Sequence, residues 1–378
     1  MHPSQAVINL SNLKYNFLNI RKKIKNVKIM AVIKADAYGH GVVEVVKCLN
    51  SLGPLKPEYY AVAFAEEAIE LRKNGIRDPI LVCEPFSKAE AEKLFKYNLI
   101  ATVFSEAHLK NLLKNKPGRR GSKRKDNNPI KVHVKVDTGM NRLGISYNEA
   151  FEFIKRLSNE KNFIIDGIYT HFASADEKDK SFTLKQLRLF KKLLEELRKN
   201  KIKYGLVHSS NSAAILDLPE TYFDMVRPGI SLYGYYPSLE TSESIPLKPV
   251  MSIISYVTSV KEIQPGETVS YGRRFKTNRR TKIVSVPIGY ADGFRRNLAD
   301  KSMAIIKGKY YQQVGTVTMD RIMFDVNEDN IRPGDKAILL GSYKNLKINA
   351  WDWAKVLNTI PYEVTCGITK RLPRIYIY

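Results

Sequence analysis

Eight short β-rich runs alternate with helical patterns between residue 29 and about residue 230, and this alternation constrains the fold more than any other feature. Helix-period segments lie at 42–52, 65–75, 87–97, 105–114, 147–158 and 183–200. The β-rich runs lie at 29–35, 60–64, 79–83, 99–103, 130–137, 163–170, 204–209 and 222–226. Eight such units favour a closed (β/α)8 barrel over an open doubly-wound sheet. The predicted fold class is therefore α/β, with a barrel of the TIM type.

The character of the sequence changes after a polar, proline-marked linker at 237–249. Beyond the linker, strand-like runs are separated by Gly and Pro turns, and only residues 350–358 have a helical pattern. We therefore predict two domains, a barrel over residues 1–237 and a mainly β C-terminal domain over residues 238–378.

Cysteine usage and hydropathy indicate a cytoplasmic protein. Cys48, Cys83 and Cys366 are far apart, odd in number and without metal-ligand spacing, which suits a reducing compartment. No apolar run approaches the length of a membrane span, and the first residues, MHPSQAVINL, lack a signal-peptide pattern. We expect a cytoplasmic protein that binds no metal ion and no membrane.

The net charge of +24 raises the question of nucleic-acid binding. Most of the excess is lysine spread over helix faces, and only the run 114–129 is densely basic. The Gly, Pro and Asn residues of that run mark an exposed loop. We recognise no RNP1, helix-turn-helix or zinc-finger signature. We expect a general attraction to anionic partners and no specific nucleic acid.

Polar side chains collect where the predicted barrel strands end. Lys34 lies at the end of the first predicted strand, and Tyr38 follows shortly after it. Lys135 lies near the end of the fifth strand, and Arg142 lies just beyond that end. His171 directly follows the sixth strand. The carboxyl ends of all strands of a (β/α)8 barrel meet at one mouth, where active sites lie. Each residue alone has an ordinary structural explanation, such as a core histidine or a strand-end lysine. Their joint arrangement indicates a site.

The loops after the seventh and eighth strands predict a phosphate site. They contain SSNSAA (209–214) and VRPGIS (226–231), and barrels commonly bind phosphate between these two loops. Ser212 offers a hydroxyl, and Gly229 lets backbone N–H groups approach phosphate oxygens closely. A lysine facing a phosphate site suggests pyridoxal phosphate held as a Schiff base. Nearby cations favour the neutral amine of Lys34, which is the form that attacks an aldehyde.

With these residues in view, the chain closely resembles the alanine racemases, pyridoxal-phosphate enzymes built from a (β/α)8 barrel and a β domain. The matching stretches follow the family order from residue 31 to the C-terminus, and together they are highly specific. They are AVIKADAYGHG, KVDTGMNRLG, THFASADE, SSNSAA, VRPGISLYG, VSYGRRF, VPIGYADG, VGTVTMDRIMFDV and PYEVTCGITKRLPRIY.

The resemblance implies that Lys34 is the Schiff-base lysine and Tyr271 the opposing base. Racemisation removes the α-proton from one face of a planar intermediate and returns a proton to the other, so it needs two proton carriers. Lysine and tyrosine are suitable types. The implied activity is the interconversion of L-alanine and D-alanine, which supplies D-alanine for bacterial cell-wall peptidoglycan.

The resemblance also implies which residues hold the cofactor and the substrate. Arg227 would be the partner of the pyridine nitrogen, supported by His171. Arg142 would lie near the ring phenolate and the substrate carboxylate, and Lys135 would carry a carbamate whose negative charge holds Arg142. The phosphate cradle would consist of Tyr38, Ser212, Gly229, Ile230 and Tyr362, with Asn211 nearby in the cofactor pocket. The backbone of Met319 would donate to the substrate carboxylate, and Tyr290 would lie at the entrance.

In the family, the residues matching Tyr271 and Met319 come from the partner subunit, so the resemblance implies a head-to-tail homodimer with shared sites. Two features depart from the pattern of many relatives. Arg273 and Arg274 stand just past the catalytic tyrosine, where small residues are common, and the basic loop 114–129 is longer than usual. Both features concern the electrostatics of the surface and the entrance.

Other functions compete with this one. A related barrel decarboxylase acting on basic or diamino acids should show a cysteine-bearing β-domain motif and a glycine-rich phosphate loop, which we do not find. A non-catalytic pyridoxal-phosphate carrier would lack the β domain and Tyr271. A serine-preferring racemase uses the same catalytic residues and remains open. A pure binding module, by contrast, would not exchange the α-proton of any amino acid with solvent.

Overall fold

The computed structural model describes residues 3–115 and 129–378, so most of the predicted basic loop 114–129 lies outside the described residues. The helices are α1 (Leu10–Ile24), α2 (Lys34–Gly39), α3 (Val42–Asn50), α4 (Ala65–Lys73), α5 (Lys88–Lys96), α6 (Glu106–Asn115), α7 (Tyr147–Ser158), α8 (Ser181–Lys199), α9 (Ser212–Asp217), α10 (Ala350–Leu357) and α11 (Pro361–Cys366). The strands are β1 (Gln5–Asn9), β2 (Lys28–Val32), β3 (Tyr59–Val62), β4 (Ile80–Val82), β5 (Ile100–Val103), β6 (Ile130–Asp137), β7 (Ile145–Ser146), β8 (Phe163–Tyr169), β9 (Leu206–His208), β10 (Met225–Val226), β11 (Met251–Tyr256), β12 (Ser259–Ile263), β13 (Thr268–Val269), β14 (Phe275–Lys276), β15 (Thr281–Val286), β16 (Met303–Ile306), β17 (Lys309–Gln313), β18 (Ile322–Asp325), β19 (Lys336–Tyr343), β20 (Leu346–Ile348) and β21 (Arg374–Ile377).

Eight strands form a closed parallel barrel, in the order β2, β3, β4, β5, β6, β8, β9 and β10. The pairing of β5 with β6 and of β10 with β2 closes the ring. Each predicted β-rich run overlaps one barrel strand, and the predicted helical segments overlap α3 to α8. The (β/α)8 prediction is therefore confirmed. Helices α1, α2, α9 and α11 were not among the predicted helices.

The barrel interior is a packed core that also contains polar side chains. Barrels of this type are filled by layers of side chains from alternate strands. Two fully buried histidines, His133 on β6 and His208 on β9, project among the apolar residues. Buried polar groups need hydrogen-bond partners, so these histidines require an account of their own. The apolar cluster beside them consists of Met30, Ala61, Leu81, Ile100, Tyr169 and Met225.

The second domain is built on a ten-stranded sheet with mainly antiparallel pairing, ordered β12-β15-β18-β17-β16-β19-β11-β1-β21, with β20 added to β19. Strand β1 pairs antiparallel with β11 and parallel with β21. Residues 5–9, which the predicted division at 237/238 groups with the barrel, therefore lie in the sheet of the second domain. The division itself stays a prediction.

The C-terminal segment of the second domain packs against the loop that follows β2. A Cβ atom on Gly39 would lie 2.3 Å from the Thr365 carbonyl oxygen, and one on Gly41 would lie 1.9 Å from the Tyr376 hydroxyl oxygen. Both glycines also have φ values in the left-handed region, +82° and +90°. The close contact brings α11 to the carboxyl-terminal mouth of the barrel, next to Lys34.

Among residues 3–115 and 129–378, no helix combines the length and the apolar composition that crossing a membrane requires. The same residues contain no group of three or more His, Cys, Asp or Glu side chains placed to hold a metal ion. Cys48, Cys83 and Cys366 are free thiols.

Candidate active site

Lys34 begins a left-handed turn directly after β2. Ala35, Asp36, Ala37 and Tyr38 have φ values of +53° to +55° and ψ values of +38° to +52°, so most of α2 has the opposite hand to an ordinary helix. Left-handed conformation costs roughly 1–2 kcal/mol for each residue that has a side chain. A run of four such residues therefore persists only where the surrounding structure holds it.

Glu67, in the first turn of α4, supports the start of this turn. One carboxylate oxygen accepts the N–H of Ala35. The other accepts the N–H groups of Ala63 at 2.7 Å and Phe64 at 3.1 Å. Charge-assisted hydrogen bonds of this kind are the strong ones, so a single carboxylate joins the ends of two neighbouring barrel strands.

His40 and Arg374 support the end of the turn. His40 Nδ1 lies 2.9 Å from the carbonyl oxygens of both Ala37 and Tyr38. Burial lowers the pKa of His40 to about 4, so the neutral ring donates a shared hydrogen bond from Nδ1 to these two carbonyls. Arg374, in β21, donates from Nε to the Gly39 carbonyl oxygen at 3.1 Å. The second domain thus takes part in fixing the turn that carries Lys34.

Tyr38 reaches from this turn to the predicted phosphate loops. Its ring stacks on Tyr233 with centroids 4.8 Å apart and lies 5.8 Å from the ring of Tyr362. A Cβ atom on Gly229 would lie 2.6 Å from the Tyr38 hydroxyl oxygen, so only glycine leaves room for the tyrosine. Ser212 Oγ accepts the N–H of Gly229 at 2.9 Å. The structure therefore brings together four of the five residues predicted to form the cradle, and Ile230 is buried directly after Gly229.

This cradle is rich in hydrogen-bond donors. Within the described residues, the hydroxyls of Tyr38 and Tyr362 have no protein partner. Burial raises the pKa of both phenols, so both remain protonated. Asn211, the N-cap of α9, accepts the N–H of Ala214 at 3.0 Å and so orients the segment that carries Ser212. An anion with several acceptor oxygens fits this donor set.

Arg227, directly after β10, is held on several sides. Its Nη1 lies 2.9 Å from His208 Nδ1, and its Nη2 donates to the carbonyl oxygens of Thr170 and Ser209, each at 2.9 Å. The predicted contact with His171 is present, with Nη2 3.2 Å from Nδ1. Burial, reinforced by the charge of Arg227, lowers the pKa of His171 well below its usual value, so the neutral ring accepts from the guanidinium.

Lys135, near the end of β6, is a buried cation. Its side chain packs against the ring of Tyr169, with Nζ 5.7 Å from the ring centroid. Burial, aided by the charge of Arg142, lowers the pKa of Lys135 to about 8. A minority of the amine, far more than for an ordinary lysine, is therefore neutral near physiological pH, and neutral amines are nucleophiles.

A cavity of about 360 Å³ opens beside Lys34. Three predicted site residues of the second domain, Tyr271, Met319 and Tyr290, do not line this cavity. Their side chains lie at the surface of the single chain, with exposed fractions of 74%, 51% and 42%. Tyr271 is fixed at its backbone nevertheless, since Thr316 Oγ1 donates to its carbonyl oxygen at 2.7 Å. The residues that line the cavity are Lys34, Ala35, Tyr38, Thr359, Ile360, Tyr362, Glu363 and Cys366.

Sequence reasoning missed the residues that hold Lys34 and Arg227 in place. His40 lies within AVIKADAYGHG, but nothing in its type indicates that it bonds to the preceding carbonyls. Glu67 carries a weak signal, a glutamate three positions after the residue before a helix. His208 could have been found, because it lies one residue before the end of the predicted strand 204–209, close to the same mouth as the polar residues that were selected.

A variant at Glu67 tests the support of the left-handed turn. Glu67→Ala leaves three backbone N–H groups without their acceptor, so we expect the free energy of unfolding to fall by about 2–4 kcal/mol. Glu70→Ala is the matched control, since Glu70 is exposed on the same helix, and its effect should stay within about 0.5 kcal/mol. Denaturant unfolding of both variants measures the difference. Equal stability of the two variants would contradict this role.

A (β/α)8 barrel with a strand-end lysine beside a hydroxyl-lined anion cradle, joined to a mainly β second domain, defines a class of pyridoxal-phosphate enzymes. Residues 8–237 match the family model "Alanine racemase, N-terminal domain", and residues 250–376 match "Alanine racemase, C-terminal domain". The chain belongs to the alanine racemase family, whose members are pyridoxal-phosphate-dependent racemases.

Individual relatives agree with this assignment. The chain is 44% identical to an alanine racemase of Halothermothrix orenii over 376 residues, which is 99% of this chain and 97% of the relative. It is similar in structure to an alanine racemase of Clostridium difficile, with a TM-score of 0.91, 39% identity and coverage of 99% and 96% of the two chains. The alanine racemase of E. faecalis gives a TM-score of 0.91 at 34% identity, with coverage of 100% and 98%.

Proposed function

We propose that this chain interconverts L-alanine and D-alanine with pyridoxal phosphate bound at the carboxyl-terminal mouth of its barrel, and that it supplies D-alanine for bacterial peptidoglycan. The observation that carries the proposal is the left-handed turn, which presents Lys34 to the cavity and Tyr38 to the anion cradle. Relatives named alanine racemase, 38–44% identical over nearly the whole chain, support alanine as the substrate.

The residues present fit this cofactor. Its phosphate would accept from the hydroxyls of Tyr38, Tyr362 and Ser212 and from the backbone at Gly229 and Ile230. Arg227 would face the ring nitrogen; it is a buried cation that forms no ion pair with a carboxylate among the described residues. When bound, pyridoxal phosphate supplies an electron-withdrawing ring that makes the α-proton of an amino acid acidic.

Lys34 and Tyr271 would move protons on opposite faces of the substrate. Lys34 Nζ would take the α-proton of D-alanine and Tyr271 Oη that of L-alanine, and each atom would return a proton in the reverse direction. Arg142 and the backbone N–H of Met319 would hold the substrate carboxylate, and Tyr290 would line the entrance. This division of roles lets one site run in both directions.

We also propose a homodimer with shared sites. Tyr271 is 74% exposed in the single chain, and Met319 and Tyr290 are exposed as well. Hydrogen bonds from Thr316 to the Tyr271 carbonyl and from Ala291 to the Met319 carbonyl join the segments that carry these residues. An exposed apolar patch of this kind is typical of a surface that another chain covers. In the proposed dimer, these three residues complete the cavity beside Lys34 of the partner subunit, and each chain does the same for the other.

The central test is a racemisation assay with L-alanine, L-serine and L-lysine, combined with borohydride reduction and peptide mapping. We expect alanine to be racemised fastest and the reduced cofactor to be found on Lys34. Lys34→Ala should abolish activity, and Tyr271→Phe should lower it by about 10²–10⁴-fold. Lys28→Ala, at the exposed opposite end of β2, is the control and should stay fully active.

A faster reaction with L-serine would reassign the substrate and leave the chemistry in place. Failure to exchange the α-proton of any amino acid with solvent would reject the racemase in favour of a binding module. Labelling of a lysine other than Lys34 would reject the site.

Complementation between inactive variants tests the shared sites. In a dimer whose sites use Lys34 of one chain and Tyr271 of the other, a mixture of Lys34→Ala and Tyr271→Phe restores complete sites. With random exchange of subunits, about a quarter of all sites should be complete, and activity should recover to that level. A mixture of Lys34→Ala with the double variant Lys34→Ala/Tyr271→Phe has no complete site and is the control. No recovery, despite subunit exchange shown by native mass spectrometry, would mean that each chain holds its own site.

We also propose a carbamate on the buried amine of Lys135. A carbamate on Lys135 would turn the repulsion between Lys135 and Arg142 into attraction. Because the carbamate forms from the neutral amine, uptake of labelled bicarbonate should rise as the pH passes about 8. We expect a carbamate signal in carbon-13 NMR that disappears in Lys135→Arg and persists in Lys131→Arg, which changes an exposed lysine of the same strand. Lys135→Ala should lose activity and regain part of it with added acetate. A wild-type spectrum without the signal, together with no rescue, would reject the carbamate.

A further inference from the structure

A line of hydrogen-bonding groups runs through the barrel interior from Arg227. His208 Nδ1 lies 2.9 Å from Arg227 Nη1, and His208 Nε2 lies 2.9 Å from His133 Nδ1. His133 Nε2 in turn lies 3.4 Å from Asp166 Oδ2, a long contact without the geometry of a full hydrogen bond, in which the carboxylate attracts the ring N–H. Both histidines are fully buried, and Asp166 lies toward the amino-terminal mouth, because it contacts Tyr59 at the start of β3 and Lys131 near the start of β6. The line therefore connects the two mouths of the barrel.

The chemistry of the two end groups gives the line one direction. A guanidinium only donates hydrogen bonds, an ionised carboxylate only accepts them, and a neutral imidazole does one of each. Burial lowers the pKa of both histidines, so both rings are neutral. Burial acts to raise the pKa of Asp166, but the neighbouring His133 and Lys131 outweigh it and bring the pKa to about 2. Each histidine must therefore carry its proton on Nε2.

The local backbone is shaped to admit this line. A Cβ atom on Gly167 would lie 2.6 Å from His133 Cε1, so only glycine leaves space for the imidazole. The register between β6 and β8 shifts at His133, which leaves Asp166 as the extra residue of a β-bulge. Bulges re-aim side chains, and they are common next to active sites. The His208 ring is also fixed, since it stacks on Tyr169 with centroids 4.7 Å apart.

Further groups hold Asp166 at the far end. Tyr59 Oη donates to Asp166 Oδ2 at 3.1 Å, and Lys131 Nζ lies 3.3 Å from Oδ1. The exposed lysine helps to keep the carboxylate charged, and the tyrosine adds a single hydrogen bond to it. Tyr59 contacts Asp166 alone and no other member of the line by a hydrogen bond, which makes it useful as a control.

We propose that His208, His133 and Asp166 are positioning residues that fix the guanidinium of Arg227 at the carboxyl-terminal mouth. The carboxylate holds the proton of His133 on Nε2, His133 then holds that of His208 on Nε2, and His208 Nδ1 is left free to accept from Arg227. A reversed His208 would present an N–H to the N–H of Arg227 and repel it. The inference rests on the proposed function only in taking Arg227 as the residue that faces the cofactor ring.

The direct test is the tautomer of His208, observed by long-range proton–nitrogen NMR on protein labelled at histidine nitrogen. The chain has only six histidines, so single substitutions assign the signals. In the wild type, with or without cofactor, we expect one set of His208 signals, protonated on Nε2. Arg227 would by itself keep the His208 proton on Nε2, because a guanidinium only donates, so the test is made in Arg227→Met, which removes that donor. In this background His208 should keep one tautomer, and adding His133→Phe, which fills the same space and removes the acceptor, should release both. A single unchanged tautomer in the double variant would overturn the proposal, whatever the activity of the enzyme.

Kinetics provide the second readout. His133→Phe should lower kcat by about tenfold, the factor given by the loss of one ordinary hydrogen bond, with a smaller change in KM. Tyr59→Phe removes a bond to the same carboxylate but leaves the line whole, so it should keep wild-type kcat and a single His208 tautomer. Equal losses of kcat in the two variants would indicate a general weakening of the barrel and would overturn the positioning role.

If the double variant does not fold, Asp166→Asn in the Arg227→Met background provides the same comparison. An amide can donate as well as accept, so without the guanidinium it permits both directions of the line, and His208 should again show two sets of signals. One set of signals in Arg227→Met/Asp166→Asn would overturn the proposal. A wild-type protein with a fixed tautomer but no racemase activity would keep the line and reject the proposed function instead, so the two failures are distinct.

Discussion

The left-handed turn from Ala35 to Tyr38 is the constraint on which the rest of the site depends. Four consecutive residues with side chains occupy a conformation that costs roughly 1–2 kcal/mol each, so the turn cannot be a local property of its sequence. The turn is held by hydrogen bonds from α4 and from His40, and Arg374 in the last strand of the second domain holds the carbonyl of Gly39, the residue directly after it. Strain of this kind collects at functional sites because the fold around them is over-determined. Here it places Lys34 and Tyr38 on one short, stiff segment.

The same arrangement explains why the two domains must act together. Arg374 reaches the turn from β21, and β21 pairs with β1, which precedes the barrel in sequence. The chain thus begins and ends in one sheet, with the barrel inserted between its strands. A barrel isolated at residue 237 would lose both β21 and the contact of α11 with the turn. The mainly β domain therefore contributes to the site within its own chain, in addition to the exposed Tyr271 that we propose for the partner.

Positive charge collects at the mouth of the barrel. Lys34, Lys135, Arg142 and Arg227 gather there, and none forms an ion pair with a carboxylate in the parts of the chain that the structure describes. Uncompensated cations in a partly desolvated site repel one another, and an anion relieves the repulsion. A phosphate, a substrate carboxylate and a carbamate on Lys135 would each relieve a different part of it. The overall charge of +24 needs no nucleic acid as partner for this local effect.

How much of this was predictable depends on whether a feature is local. Alternating periodicity predicted all eight barrel strands, because burial on both faces leaves a mark on each run of sequence. The strand-end rule found Lys34, Lys135 and His171, since the rule needs only the end of a strand. The partners of β1 were not predictable, because sheet neighbours distant in sequence leave no periodic signal. The left-handed turn was not predictable either, as no glycine marks residues 35–38.

His133 and Asp166 lie inside strands, where polar residues usually face outward. Only the closed barrel, with its bulge and the glycine at 167, shows that they meet Arg227 through His208.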